Sequence, residues 1–292
     1  MANRILLKTT IGPVEDDWNI ARFSILKQHL EALGHAVEAR DRVEDERDDT
    51  DLIALPESDF DQLWLFAVDV EDALTEGDAA AISVFRRRGG GLLVTRDHED
   101  MGASLLRLGS VGVAHHFHSS NQEPDRTRHA VDDQATSYLS WPNYHTGANG
   151  DYQEILTPVP SHDLLRRSDG SPIQFLPAHP HEGVVSCPKE AGGAACKIIR
   201  GRSVVTGNQF GIAVAFDGER DEDGRSLGRA VAQSTFHHFV DPNLDPSKPL
   251  PSFCTEEKGS GMVTHPKAAQ DSLRYIENLA DWLSAQPTGN EL

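Results

Sequence analysis

The sequence predicts an α/β protein built on a mainly parallel sheet with helices on both faces, and two observations carry that prediction. Short apolar runs alternate along the chain with amphipathic helical segments, the pattern of successive βαβ units. Some of these runs end in clusters of ionisable side chains, as expected where strands deliver residues to the crevice beyond their carboxyl ends.

Ile5 to Leu7 read as a buried parallel strand, and Thr9 to Val14 as the loop leaving its carboxyl end. Phe23, Leu26, Leu30 and Leu33 then recur at helical spacing, which puts them on one stripe facing the sheet, and Gly34 is placed to end that helix. Val37 to Ala39 give a second strand. The acidic run Glu44 to Asp51 reads as a solvated loop. Leu63 to Phe66 form a third strand with Val68, Asp69 and Val70 at its tip, and Ala79, Ile82 and Phe85 mark a helix over 76–88. Gly89 to Gly91 let that helix turn sharply into the strand Leu92 to Thr95, whose tip holds Asp97, His98, Glu99 and Asp100.

Residues 103–175 break the rhythm, being rich in His, Asp, Asn, Ser and Pro without sustained periodicity. They contain His115, His116, His118 and the cluster Trp141 to His145, which read either as a lid over the crevice or as a peripheral excursion packed by its own aromatics. Strands are predicted again at Ser203 to Thr206 and Ile212 to Phe216, paired antiparallel across Gly207-Asn208-Gln209. A further strand, Ala230 to Ser234, leads into Thr235-Phe236-His237-His238-Phe239. Residues 241–262 read as a surface loop. Ala269, Leu273, Ile276, Ala280 and Leu283 give a last amphipathic helix entered through Pro266. With no low-complexity linker and no internal repeat, residues 1–292 read as a single domain with a lid insertion at about 103–175.

Asp and Glu number 46 against 27 Lys and Arg, a formal net charge of −19, which argues against nucleic acid or an anionic membrane surface as the partner and for a small-molecule substrate. The three cysteines, Cys187, Cys196 and Cys254, make no CxxC pair and are a poor disulfide framework, so a reducing cytoplasm is expected. No leader and no run of membrane-spanning length is expected either. A homo-oligomer would be expected from an exposed apolar helix face, which sequence does not reveal.

Three clusters carry the candidate chemistry: Asp97-His98-Glu99-Asp100, His179-Pro180-His181-Glu182-Gly183 and His237-His238. Imidazole and carboxylate are the common ligands of zinc and similar divalent ions, and a catalytic site needs three plus an open position. His98, His179, His181, His237 and His238 are therefore the candidate metal ligands, with zinc foremost, and Asp97, His98 and Glu182 the candidate catalytic groups, the two carboxylates for proton transfer. An adjacent pair such as His237-His238 can point to opposite sides of an extended backbone, so one of the two is expected to be structural. No GxSxG, Walker A or GxGxxG pattern is present, so no nucleotide cofactor is expected. The same residues also suit a metal-free His/Asp acid–base site or a catalytically inactive ligand-binding module.

Strand 63–66, helix 76–88 and the segment GGGLLVTRDHEDMG resemble the ThuA-like, trehalose-utilisation branch of the class I glutamine amidotransferase-like superfamily, most strongly over residues 1–102. The resemblance implies a flavodoxin-like three-layer α/β/α sandwich, with His98 and Asp97 at the superfamily's nucleophile turn and His237 or His238 at its late histidine position. It also suggests a role in the chemistry of a sugar-like or other small polar metabolite, for which the metal-ligand candidates favour hydrolysis or isomerisation. No cysteine occupies the turn, so glutamine amidotransferase activity is not expected. The HPHEG loop and residues 103–175 have no counterpart in the superfamily's common core.

Overall fold

In a β-strand successive side chains point to opposite faces, and here both faces are apolar, which requires a covering layer on each. The computed structural model describes residues 2–43, 47–70, 72–135, 139–156, 161–189 and 196–284. Its elements run β1 (Arg4–Thr9), α1 (Ser24–Ala32), β2 (Ala36–Arg40), α2 (Thr50–Ala54), β3 (Gln62–Phe66), α3 (Glu76–Arg87), β4 (Gly91–Thr95), α4 (Gly109–Val113) and β5 (His115–His116). They continue with β6 (Tyr152–Glu154), β7 (Phe175–Pro177), β8 (Val184–Val185), β9 (Cys196–Arg202), β10 (Gln209–Phe216), β11 (Ala230–Gln233), α5 (Asp241–Leu244), α6 (Gly261–Thr264) and α7 (Pro266–Ser284).

Seven strands form the main sheet in the order β2-β1-β3-β4-β11-β10-β9, while β5 pairs with β8 and β6 with β7. The first five run parallel, and β10 runs antiparallel between β11 and β9. Ile5, Leu7, Trp64, Phe66, Leu93 and Val231 pack on one face against Leu26 and Leu30 of α1 and Ile276, Leu279 and Leu283 of α7. Leu6, Leu63, Leu65, Leu92 and Val94 pack on the other against Ala79, Ile82 and Phe85 of α3. Each fully buried Leu, Ile, Val or Phe among them stabilises the fold by about 1.5–3 kcal/mol. The three-layer sandwich expected from the alternation is therefore the observed one. The register pairs Phe66 with Thr95 and Thr95 with Gln233, so β3, β4 and β11 end level and their outgoing loops leave the same edge.

Local signals explain the boundaries. Thr75 and Asp78 form a reciprocal capping box at the start of α3, and Gly89 leaves that helix with φ +96, open to glycine at little cost. Leu33, expected on the core stripe of the first helix, instead caps its end and is 44% exposed. The run Ser203 to Thr206 is a turn, and the strand lies just before it in β9. The valines suggested a strand, but the Ser203 Oγ accepts the Val205 and Thr206 N–H groups at 3.1 Å and holds the backbone in a turn. The antiparallel pairing with β10 is as expected, but the connection between β9 and β10 is residues 203–208, and Gln209 already pairs with Arg202.

The acidic run is more than a solvated loop. Asp49 caps α2 and lies 2.9 Å from the buried Lys8 Nζ, with Asp51 at 2.7 Å. Glu44 to Glu46 lie outside the described residues. His115 and His116 sit buried in β5, and the His116 ring nitrogens contact Asn121 O at 2.7 Å and Ser186 Oγ at 2.5 Å. Tyr144 stacks on Phe210 at 4.7 Å. Cys187 is disulfide-bonded and Cys254 free, which corrects the expectation of a poor disulfide framework and removes the support the cysteines gave to a reducing compartment. Among the described residues no helix is long and apolar enough to cross a membrane.

Candidate functional site

The turn after β4 is built on a buried arginine. The Arg96 guanidinium donates to His116 O at 2.9 Å, to Met101 O at 3.3 Å and to Glu99 O, and lies 4.4 Å from the Phe117 ring centre. Burial pulls its pKa down to about 9. Glu99 sits at φ +47, in the left-handed region that costs a non-glycine residue energy, and its carboxylate accepts Ser140 N–H at 2.9 Å. Clamped from both sides, this turn presents Asp97 and His98 at the sheet edge.

The end of β11 supplies the opposite wall. Thr235 caps a 3-10 turn over Phe236–His238 by accepting the His237 N–H at 3.1 Å, and the turn sends its two histidines in different directions. The third wall is the loop between β7 and β8. There His179 N–H donates to Thr146 Oγ1 at 3.0 Å, and Glu182 bridges Tyr144 through backbone bonds of 2.7 and 3.1 Å. A Cβ on Gly183 would stand 2.7 Å from Arg96 Nη1 and 2.8 Å from both Asp97 O and Ser234 O, so only glycine lets the loop reach both strand tips. Gly183→Ala is expected to cost about 1–3 kcal/mol and to loosen the site, read as a lower denaturation midpoint together with weaker ligand binding.

These walls enclose a cavity of about 430 Å³ lined by Asp97, His98, His179, His181 and His237 among others. Asp97 Oδ2 lies 3.7 Å from His237 Nε2 and Oδ1 lies 3.3 Å from His98 Nδ1. The His179 ring stacks on His237 at 3.5 Å, and His181 stands 5.3 Å from His98 between centroids. One donor atom each from Asp97, His179 and His237 falls within 4.8 Å of the others, close enough to hold one metal ion. Asp97 Oδ1 and His237 Nδ1 are buried without a hydrogen-bond partner. Against ligation by the Nε2 of His179, its Nδ1 accepts the His181 N–H at 3.1 Å, which puts the proton of the neutral ring on Nε2.

Burial would push the Asp97 carboxyl up, but His98 and His237 outweigh it and hold it well below the usual range. Burial also disfavours charge on His98, yet the Asp97 carboxylate prevails and the net shift is upward. His237 is pushed down by burial despite Asp97, and His179 well down by burial with His237 beside it. Asp97 thus favours the charged form of His98 while burial disfavours it at His179 and His237, the separation acid–base chemistry uses.

Four of the five expected metal ligands, His98, His179, His181 and His237, come together with Asp97 around this cavity. Glu182 and His238 do not line it. Glu182 is fully buried, accepting from Ser234 Oγ and Thr146 Oγ1 at 3.0 Å and Gln153 Nε2 at 2.5 Å, with His238 Nε2 at 3.0 Å. His181 is held between Asp133 at 3.1 Å and Glu256 at 3.3 Å. Sequence reasoning missed Trp18, Cys254 and Glu256. Trp18 lies just beyond the loop leaving β1, where the carboxyl-end rule pointed, whereas Cys254 and Glu256 come from a Pro- and Gly-containing stretch with no motif. Burial and the Glu256 charge push the Cys254 thiol up to about 12, so it stays protonated and is no nucleophile.

No protein-family model matches the chain, and no curated protein matches it. Among solved structures, a ThuA-like protein from Parabacteroides merdae superposes with a TM-score of 0.55 over 99% of this chain and 93% of that one, at 12% sequence identity. At that identity the likeness shows the fold, and the expected ThuA-like architecture is the one present.

Proposed function

We propose that this chain of ThuA-like fold is an enzyme that hydrolyses or isomerises a small molecule in the Asp97–His98–His179–His237 cavity, with the help of a divalent metal ion. The observation that carries the reading is the convergence of one carboxylate and two imidazoles within 4.8 Å at the carboxyl edge of the sheet. Asp97, His179 and His237 would hold the ion, with zinc the first candidate for such a ligand set. A cation there polarises a carbonyl or lowers the pKa of a bound water. His98, whose charged form Asp97 favours, is placed to protonate a leaving oxygen, and Trp18 packs edge-on to His237 at 4.6 Å and helps exclude water. The protonated Cys254 thiol supports the expectation that no thioester chemistry takes place.

A metal-free His/Asp acid–base enzyme is the second reading, favoured by the bond from the His181 N–H to His179 Nδ1. Elemental analysis of protein purified without tag or chelator separates the two. We expect about one metal per chain, lost in Asp97→Asn and in His237→Gln. Protein that stays empty after incubation with zinc, manganese and iron yet turns over a metabolite panel would establish the metal-free reading. Protein that does neither would be a binding module.

A further inference from the structure

We infer that the ligand of this cavity is a neutral or cationic molecule with an apolar face, and that phosphorylated and carboxylated metabolites are excluded. The inference rests on the reading of the cavity as the substrate site and names what that site admits. The charged side chains other than histidine that line it are Asp17, Asp97 and Glu256, and among the described residues no Lys or Arg does. An adjoining cavity of about 290 Å³ shares Ile11, Asp17 and Val70 with it and adds Asp69 and Asp72.

The nearby cations are already committed. Arg42, which lines the adjoining cavity, donates to Asp78 Oδ2 at 2.9 Å and to Arg47 O at 2.5 Å, and its side chain is 1% exposed. Arg96 lies beneath the turn with its donors on three carbonyls. Arg22, its side chain 15% exposed, donates to Asp17 O at 2.8 Å and to Pro249 O at 2.9 Å and lies 3.6 Å from Asp16, with its guanidinium 5.9 Å from the Trp18 ring centre. An anionic ligand would lose its hydration and meet carboxylates; an ion held by Asp97, His179 and His237 would set two positive charges against the three lining carboxylates, which leaves the histidines to compensate the ligand.

Asn149 apart, most of the remaining wall is apolar: Trp18, Ile11, Val70, Met101, Leu139 and Phe253. Phe253 and Val70 are 57% and 77% exposed, large apolar surface left uncovered where a ligand would lie. The polar end of the ligand is set by Asp97 Oδ1, an acceptor on a residue only 3% exposed. His98 Nδ1 attracts it from 3.3 Å without making a hydrogen bond, so a ligand hydroxyl or amine is the donor it lacks.

The test is a ligand-observed NMR screen of a fragment library divided equally among neutral, cationic and anionic members, with hits mapped by shifts of the Trp18 indole and His237 resonances. Neutral and cationic hits are expected to outnumber anionic ones by about tenfold each, with the cationic excess shrinking as salt is raised. An anionic hit rate equal to the others, on the same resonances, would overturn the inference and leave the site's assignment standing. If no fragment of any class moved those resonances, the assignment itself would fall. Asp17→Lys should raise the anionic hit rate, and a folded variant that still rejects anions would refute the electrostatic basis.

Discussion

Asp97→Asn is expected to lower kcat/KM at this site by about 10²- to 10⁴-fold while leaving the fold intact. Asparagine fills the same space, so the packing of the turn after β4 persists. What disappears is the negative charge between His98 and His237, 3.3 and 3.7 Å away. That charge is what overcomes burial at His98 and raises its pKa above 6.5. With the charge gone, burial and the Arg96 charge act against Glu99 alone, and the His98 pKa should fall below 6.5 in an NMR titration. The effect on stability reverses with it. In the native protein the His98 contribution is fully present below its unfolded pKa, near 6.5, and is lost as pH rises through the raised folded value. In the variant, protonating His98 opposes folding, so stability falls as pH drops through the same region. An Asp97→Asn protein with native turnover and an unshifted His98 would remove Asp97 from the centre of the chemistry.

The parts of this site that could be read in the sequence are those hung on strand ends. β4 and β11 are apolar runs, and a parallel pair must release its next residues at the same edge, so Asp97, His98 and His237 were bound to meet. His179 and His181 were visible as a motif, but their position was not. Their loop lies between strands of three and two residues, too short to leave a periodic signal. It is placed by contacts far apart in sequence: the close approach at Gly183 and the bonds from Glu182 to Thr146, Gln153 and Ser234. Glu182 shows the limit of motif reading. It sits between His181 and Gly183 in a stretch that looks catalytic, and only burial distinguishes a carboxylate facing substrate from one that ties the walls together.

Glu182→Ala is expected to destabilise the protein by about 3–5 kcal/mol, because it removes a buried, fully engaged carboxylate and leaves its partners unpaired. Ser234 Oγ, Thr146 Oγ1, Gln153 Nε2 and His238 Nε2 would all lose an acceptor within the core. The His238 proton cannot simply move. Gln233 Nε2 lies 2.6 Å from His238 Nδ1, and the Gln233 carbonyl accepts from Tyr275 OH at 2.8 Å, which orients the amide and leaves the imidazole proton on Nε2. Glu182→Gln retains the volume and one acceptor oxygen but turns an amide N–H₂ toward existing donors, for an expected cost of about 1–3 kcal/mol. Denaturant titration with an unchanged slope would report both values. The decisive comparison is turnover per folded molecule. If Glu182 moves protons, Glu182→Gln should keep its stability and lose its activity. Enclosed as it is, away from the cavity, the expected outcome is the reverse: stability falls while the folded fraction continues to work.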